Sequence, residues 1–126
     1  MKKPGLPFLW STLPTNITLR RWKNNFWQKK QAYIIDLGNN DIYFYHQQIG
    51  TAEDIHPDNP SLNPDTYFGY LGKVISKLKS LEKDAFIFLV SMQIDHLSKE
   101  KDETSRYVTK ELEKRVKASA TASATA

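Results

Sequence analysis

Two aspartates in this chain of 126 residues have a placement that could support metal chemistry. Asp36 lies near the end of the apolar segment 31–37, and Asp95 directly follows the apolar segment 85–94. If the two segments form neighbouring strands, both carboxylates reach the same edge of a sheet. A pair of carboxylates can hold Mg²⁺ together with phosphate oxygens for phosphoryl transfer. The alternative interpretation is that each aspartate hydrogen-bonds the turn after its strand.

A second group of residues combines cations with aromatic rings near the start of the chain. Residues 1–31 contain seven Lys or Arg and no acid, whereas residues 32–72 contain six acids and no Lys or Arg. Cations neutralise phosphates, and aromatic faces stack on bases or rest at a lipid interface. The alternative is that the charges pair with the acidic segment and the rings pack internally. The candidate binding residues are Arg20, Arg21, Trp22, Lys23, Phe26, Trp27, Lys29 and Lys30.

Tyrosines and histidines give further indications. Tyr43 and Tyr45 alternate with Phe44, so some of these rings must face outward from a strand, where tyrosine suits a protein interface. A second layer of structure covering them is the alternative. The three histidines lack the spacing of a metal site, and the absence of cysteine excludes disulfides, Cys-ligated zinc and thiol catalysis. We therefore expect no metal ligand and no cofactor, except Mg²⁺ under the two-aspartate hypothesis.

The elements that must position these residues begin with an irregular arm over residues 1–16, which is basic and rich in proline. Asn16 is a candidate N-cap for a helix through about Gln31, although residues 17–22 could instead form a short strand. The segments 31–37 and 42–46 are β-branched and aromatic, with Gly and Asn between them, which predicts a β-hairpin. A long acidic loop over residues 50–65 should follow.

The second half of the chain predicts helix, strand and helix. Asn63 and Pro64 are typical of a helix start, and apolar residues at helical spacing extend that helix to Leu81. The stripe consists of Tyr67, Leu71, Val74, Leu78 and Leu81. Residues 85–94 predict a central strand covered on both faces. A final helix should span about 103–116, with Glu111 and Arg115 as an i, i+4 ion pair.

Together these elements predict the α+β class. We expect one small domain over residues 17–117, in which a β-hairpin and a central strand pack against two to three helices. The arm 1–16 precedes it, and the low-complexity tail 118–126 follows it. The order of hairpin, helix, strand and helix, with Asp closing the first and last strands, resembles the first half of the ribonuclease H-like fold. This resemblance covers residues 31–116 and implies a divalent-metal nuclease that uses Asp36 and Asp95.

The leading functional prediction is nevertheless a small non-enzymatic binding or accessory protein, because no complete catalytic set can be assembled. Such a protein would act through the basic aromatic N-terminal segment and an exposed hairpin and acidic loop. It would be a subunit or adaptor of a larger protein or nucleic-acid assembly, with a protein partner or self-association expected. The nuclease is the first alternative, and an adaptor at an anionic membrane surface is the second. The longest apolar run, Ala85–Val90, is far shorter than the ~20 residues of a membrane span. With no cysteine and no export signal, we expect a soluble intracellular (cytoplasmic) protein.

Overall fold

The computed structural model describes residues 8–23, 26–38, 41–42, 45–90 and 99–125. Its regular elements are β1 (Phe8–Trp10), α1 (Thr15–Arg21), β2 (Ala32–Asp36), α2 (Tyr67–Leu81), β3 (Phe86–Leu89) and α3 (Lys99–Thr125). Two 3₁₀ turns, at Ala52–Asp54 and Pro60–Leu62, lie between β2 and α2. Helices and strands within one small domain confirm the predicted α+β class.

The three strands form one sheet in the order β1-β2-β3, and both pairs of neighbours are parallel. The register aligns Leu9 with Ile35 and Ile35 with Leu89, so these side chains share one face. On that face Leu9, Tyr33 and Ile35 are buried beneath α2, and α1 packs on α2. The core therefore lies between one face of the sheet and the helices.

The predicted β-hairpin is wrong. Both sides of β2 are already occupied by parallel strands, so no position is left for an antiparallel arm at 42–46. Asp41 and Ile42 lie instead in a helical turn, and the Ile42 amide donates to the Gly38 carbonyl at 3.1 Å. Gly38 has φ +124° and lies against the Tyr67 ring, so it permits both the sharp exit from β2 and the close approach of α2.

The arm at residues 1–16 and the first helix also differ from the prediction. Residues 8–10 belong to the sheet as β1, and α1 begins at Thr15 and ends at Arg21 rather than near Gln31. Pro14 occupies the N-cap and offers no side-chain acceptor. A helix of seven residues is too short to be stable by itself, so α1 depends on its packing against α2 and on contacts at its N-terminus.

The helix over the middle of the chain is confirmed, with a different start. Tyr67, Leu71, Val74 and Leu78 are buried along one side of α2, as the stripe requires, and Leu81 packs against them. The helix begins at Tyr67, where the Thr66 hydroxyl caps it by accepting from the Gly69 amide at 3.0 Å. Asn63, predicted as the cap, instead accepts from the His56 amide and donates to the Gly69 carbonyl.

In the sheet of the described residues, β3 is an edge strand and not the central strand that was predicted. Phe86 is 70% exposed and Phe88 is also exposed, so the face of the sheet opposite the core is open at β3 within the described residues.

The segment 50–65 contains two 3₁₀ turns where a loop without regular structure was expected. Helix α3 packs Val108 and Leu112 into the core and continues through Thr125, beyond the predicted end near Val116.

Candidate functional site

Exposed cations at the C-terminal end of α1 lie beside cations of α2. Arg20, Arg21 and Lys23 are exposed at and after the C-terminal end of α1, which packs on α2. Lys73 and Lys77 lie one turn apart on α2, and the positive charge of Arg20 acts on Tyr70 one turn before them. We call the surface formed by Arg20, Arg21, Lys23, Phe26, Lys73 and Lys77 the basic aromatic surface.

Three aromatic rings hold this surface together. Trp22 and Phe26 stack with their centroids 4.4 Å apart, and Trp22 meets Trp27 edge-on at 4.8 Å. Trp27 is buried, at 7% exposure, whereas Phe26 remains 42% exposed. The internal packing that we weighed as an alternative therefore holds for Trp27, and Phe26 is the ring of this cluster that solvent reaches best.

The cations of α2 are oriented by aromatic rings. The Lys77 ammonium lies 4.8 Å from the centroid of the Trp27 ring, and the Lys73 ammonium lies 5.3 Å from that of Tyr70. Cation–π contacts of this kind place charge at a defined position without neutralising it. Partial burial, together with a hydrogen bond involving Asp65, raises the pKa of Tyr70, while the charge of Arg20 acts in the opposite direction.

The basic segment does not pair with the acidic segment in the part of the chain that the structure describes. Lys29 forms an ion pair at 3.3 Å with Glu82, which lies outside residues 32–72. Within the acidic segment, Asp54 accepts from the Thr51 amide and the Thr66 hydroxyl. The charge segregation seen in the sequence is therefore not cancelled by contacts among the described residues, and Arg20, Arg21 and Lys23 face solvent.

Of the two candidate tyrosines, Tyr43 lies outside the described residues. Tyr45 is exposed, as expected, but it follows a helical turn instead of lying in a strand. Among the described residues it makes no ring contact with the aromatic cluster. Lys30, the last of the cationic candidates, is half-buried, and its amide donates to the Tyr33 hydroxyl at 2.8 Å.

The two-aspartate hypothesis is met only in part. Strands β2 and β3 are parallel neighbours, as it requires, and half-buried Asp36 lies at the carboxyl end of β2. Asp95 lies outside the described residues. The hairpin on which the ribonuclease H-like order depends is absent, and no group of three metal-ligating side chains occurs in the searched, described part of the chain.

A buried carboxylate that sequence reasoning missed lies at the same end of the sheet. Asp41 is 1% exposed, and its two oxygens accept from the Thr15 amide at 2.9 and 3.0 Å. The Thr15 hydroxyl donates to the same carboxylate at 3.0 Å. Asp41 thus caps the N-terminus of α1, which is the role predicted for Asn16. A negative charge at this end also interacts favourably with the helix dipole. Its position in a polar Gly-Asn-Asn-Asp run gave no sign of burial.

Two further effects shape the electrostatics around Asp41. Its burial raises the pKa of the carboxyl, although the hydrogen bonds from Thr15 act in the opposite direction. Burial also raises the pKa of the nearby Tyr67 phenol, as do the charges of Asp41 and Asp36. The Tyr67 hydroxyl accordingly stays protonated and donates to the Leu37 carbonyl at 2.8 Å. This arrangement joins α2 to the exit of β2, and we assign it a structural role.

We expect Asp41→Asn to change how stability depends on pH. Because burial raises the pKa of the folded-state carboxyl, its contribution is fully present below the unfolded-state value, near 3.8, and is lost as the pH rises through the folded-state value. The free energy of unfolding of the natural protein should therefore fall relative to that of the variant as the pH rises from acid toward neutral. Urea unfolding at a series of pH values measures this difference.

The exposed Asp58 supplies the control for this titration. Asp58→Asn, at an exposed position, should change the free energy of unfolding by no more than about 0.5 kcal/mol. A difference between the natural protein and Asp41→Asn that grows in favour of the natural protein with rising pH would contradict the assignment, because it would mean that the hydrogen bonds outweigh burial.

Comparisons with known proteins identify no relative of this chain. No family model matches the chain, and neither a curated protein nor a solved structure matches it. Across its described residues, the structure also contains no helix with the length and apolar character needed to cross a membrane. The side-chain geometry of the chain itself is therefore the basis for inferring its function.

Proposed function

We propose that this chain is a non-enzymatic accessory protein that binds single-stranded nucleic acid through the basic aromatic surface. The observation that carries the proposal is that the exposed cations Arg20, Arg21 and Lys23 find no acidic partner among the described residues. They flank Trp22 in the sequence, and Trp22 stacks with the exposed ring of Phe26. Cations that follow a phosphate backbone, combined with a ring on which a base can stack, are the usual means of binding single strands. We also propose that the protein acts inside the cell, as expected from its sequence.

The geometry favours nucleic acid over the membrane surface. An interfacial helix needs a continuous apolar face with its aromatic rings free to enter the lipid. Here α1 ends at Arg21, and Trp27 is buried under Lys77. Phe26 alone is a small anchor, whereas a single exposed ring among cations is sufficient to stack one base.

Replacing Arg20, Arg21 and Lys23 together by alanine should weaken binding and reduce its salt dependence. Each phosphate contact on a single strand contributes a slope of about −0.7 to the logarithm of the affinity against the logarithm of salt concentration. Loss of three contacts should therefore make the slope shallower by about 2. Fluorescence anisotropy of labelled oligothymidylate over a series of KCl concentrations measures both effects.

A control with the same charge change is available on α3. Arg106, Lys110 and Arg115 are cations of that helix, which packs on the 3₁₀ turn at Ala52–Asp54. Replacing these three by alanine should leave the slope close to that of the natural protein. Equal slopes for the two triple variants would reject the proposed surface, because net charge alone would then explain the binding.

Phe26 provides a test that charge does not affect. Phe26→Ala should lower the affinity for oligothymidylate by about tenfold, since stacking contributes about 1–3 kcal/mol for each base, and should leave the salt slope unchanged. Phe26→Trp preserves a stacking face and should retain the affinity. If alanine and tryptophan at this position bind equally well, the ring has no part in recognition.

A further inference from the structure

A groove lies on a different part of the molecule, where α2, β3 and α3 meet. Its cavity has a volume of about 710 Å³. The walls are mainly apolar and include Ile75, Ile87, Leu89 and Val116. A smaller hollow of about 260 Å³ continues along α3 and shares Leu89 and Val116 with it. The groove therefore runs beside β3, between the strand and the last helix.

Strand β3 offers unpaired backbone groups beside this groove. The amides of Phe86 and Val90 donate toward β2, to the carbonyls of Gln31 and Ile35, each at 2.9 Å. Because consecutive residues of a strand direct their backbone groups to opposite sides, the amides of Ile87 and Leu89 face the outer edge. In the described sheet no strand lies on that side of β3. Such an edge is a template for an added strand.

The charge around the groove is positive. Lys79 and Arg115 line the larger cavity, and no described acid lines it. Glu113 and Lys117 line the smaller hollow, so two basic groups remain in excess over the groove as a whole. Lys79 donates to the Ala85 carbonyl at 2.7 Å, which neutralises none of its charge. The predicted pair between Glu111 and Arg115 is absent. Glu111 instead accepts from Lys114 and from the Ala52 amide, each at 2.9 Å, and those hydrogen bonds hold the pKa of its carboxyl below the usual range.

Arg115 is the cation best suited to recognise a ligand in this groove. It is half-buried against the cavity, and among the described residues no acid pairs with its guanidinium. Guanidinium groups bind carboxylates through two parallel hydrogen bonds, which fixes orientation as well as position.

We propose that this groove binds an extended, acidic segment of a partner protein, which adds a strand to the free edge of β3. Aliphatic side chains at alternate positions of that segment enter the groove, and a carboxylate at its end meets Arg115. A second copy of this chain is a poor occupant, because pairing two β3 edges would bring two sets of Lys79 and Arg115 together. The inference is independent of the basic aromatic surface.

The test uses two fluorescein-labelled peptides, EVTVTVE and KVTVTVK, with the full-length chain. Both alternate as a strand does, and they differ only in the charge at their ends. We expect the natural protein to bind EVTVTVE more tightly. Arg115→Glu should weaken the binding of EVTVTVE and strengthen that of KVTVTVK, so that the preference for EVTVTVE falls by about tenfold, whereas a loss of folding would weaken the binding of both peptides. Fluorescence anisotropy measures the four affinities.

Two further measurements locate the binding. Val116 lines the groove and is 57% exposed, so Val116→Arg should block it, whereas Leu62→Arg changes an exposed leucine outside the groove and should not. Hydrogen exchange should slow at the amides of Ile87 and Leu89 when EVTVTVE is bound. Equal affinity for both peptides, or unchanged exchange at these amides, overturns the proposal. So does dimerisation that protects the same amides without peptide, since the occupant would then be a second copy.

Discussion

Replacing Asp41 by alanine should lower the free energy of unfolding by about 3 kcal/mol. The carboxylate is buried, and it accepts from both the amide and the hydroxyl of Thr15, which is itself fully buried. Alanine would leave two buried donors without an acceptor, at about 1–3 kcal/mol each, offset in part by relief of the desolvated charge. Urea denaturation followed by circular dichroism measures the change.

The effect of Asp41 should depend on Thr15. Thr15→Val removes the hydroxyl donor but keeps the amide, so the double variant with Asp41→Ala should lose less stability than the two single variants added together. Asp58→Ala, at an exposed acid, should change the free energy of unfolding by no more than about 0.5 kcal/mol. Additive losses at positions 15 and 41 would show that the carboxylate does not hold the start of α1.

If the basic aromatic surface binds nucleic acid as proposed, the stability lost in Asp41→Ala should also weaken that binding. Asp41 supports the N-terminus of α1, and Arg20 and Arg21 lie at the C-terminal end of the same seven-residue helix. A helix this short has little stability of its own, so loosening one end loosens the other. Stability and positioning of the basic aromatic surface therefore depend on one buried carboxylate that belongs neither to that surface nor to the groove beside β3.

Local periodicity predicted the elements of this fold better than it predicted their partners. The buried side of α2 follows from apolar residues at helical spacing, because a helix must bury such a stripe. The segment 31–37 contains a strand for a comparable reason, its β-branched composition. Which strand pairs with it is a long-range matter. The turn-forming Gly38 favoured a hairpin, but β1, from a segment with little strand character, occupies one side of β2, and β3 occupies the other.

The candidate surface was predictable in composition and not in geometry. The run of cations and aromatic rings is evident in the sequence, but their spacing does not distinguish buried Trp27 from exposed Phe26. Lys73 and Lys77 join the surface only because α1 packs on α2, a tertiary contact without a local signature. The groove beside β3 was missed for a related reason, since an uninterrupted apolar run indicates a central strand unless the number of strands is known.

Helix α2 begins at Tyr67, which places Gly69 in its first turn. We expect that Gly69 cannot be replaced by a residue with a side chain without a large loss of stability. A Cβ at this position would clash with the Pro64 carbonyl oxygen, a backbone atom that cannot move aside without moving the turn before α2. We expect Gly69→Ala to lower the free energy of unfolding by about 3 kcal/mol. The sign opposes helix propensity, which favours alanine over glycine by about 1 kcal/mol. Chemical denaturation at neutral pH provides the value.

Ser80→Ala, at an exposed position of the same helix, separates the two effects. The Ser80 hydroxyl donates to the Lys77 carbonyl at 2.6 Å, an exposed hydrogen bond whose loss opposes the gain in helix propensity. We therefore expect the variant to stay within about 0.5 kcal/mol of the natural protein. If Gly69→Ala were also neutral or stabilising, the turn from Pro64 to Thr66 could not pack against the first turn of α2 as described. That packing brings the Thr66 hydroxyl to the Gly69 amide and to Asp54, so its failure would release both the helix cap and the segment that precedes it.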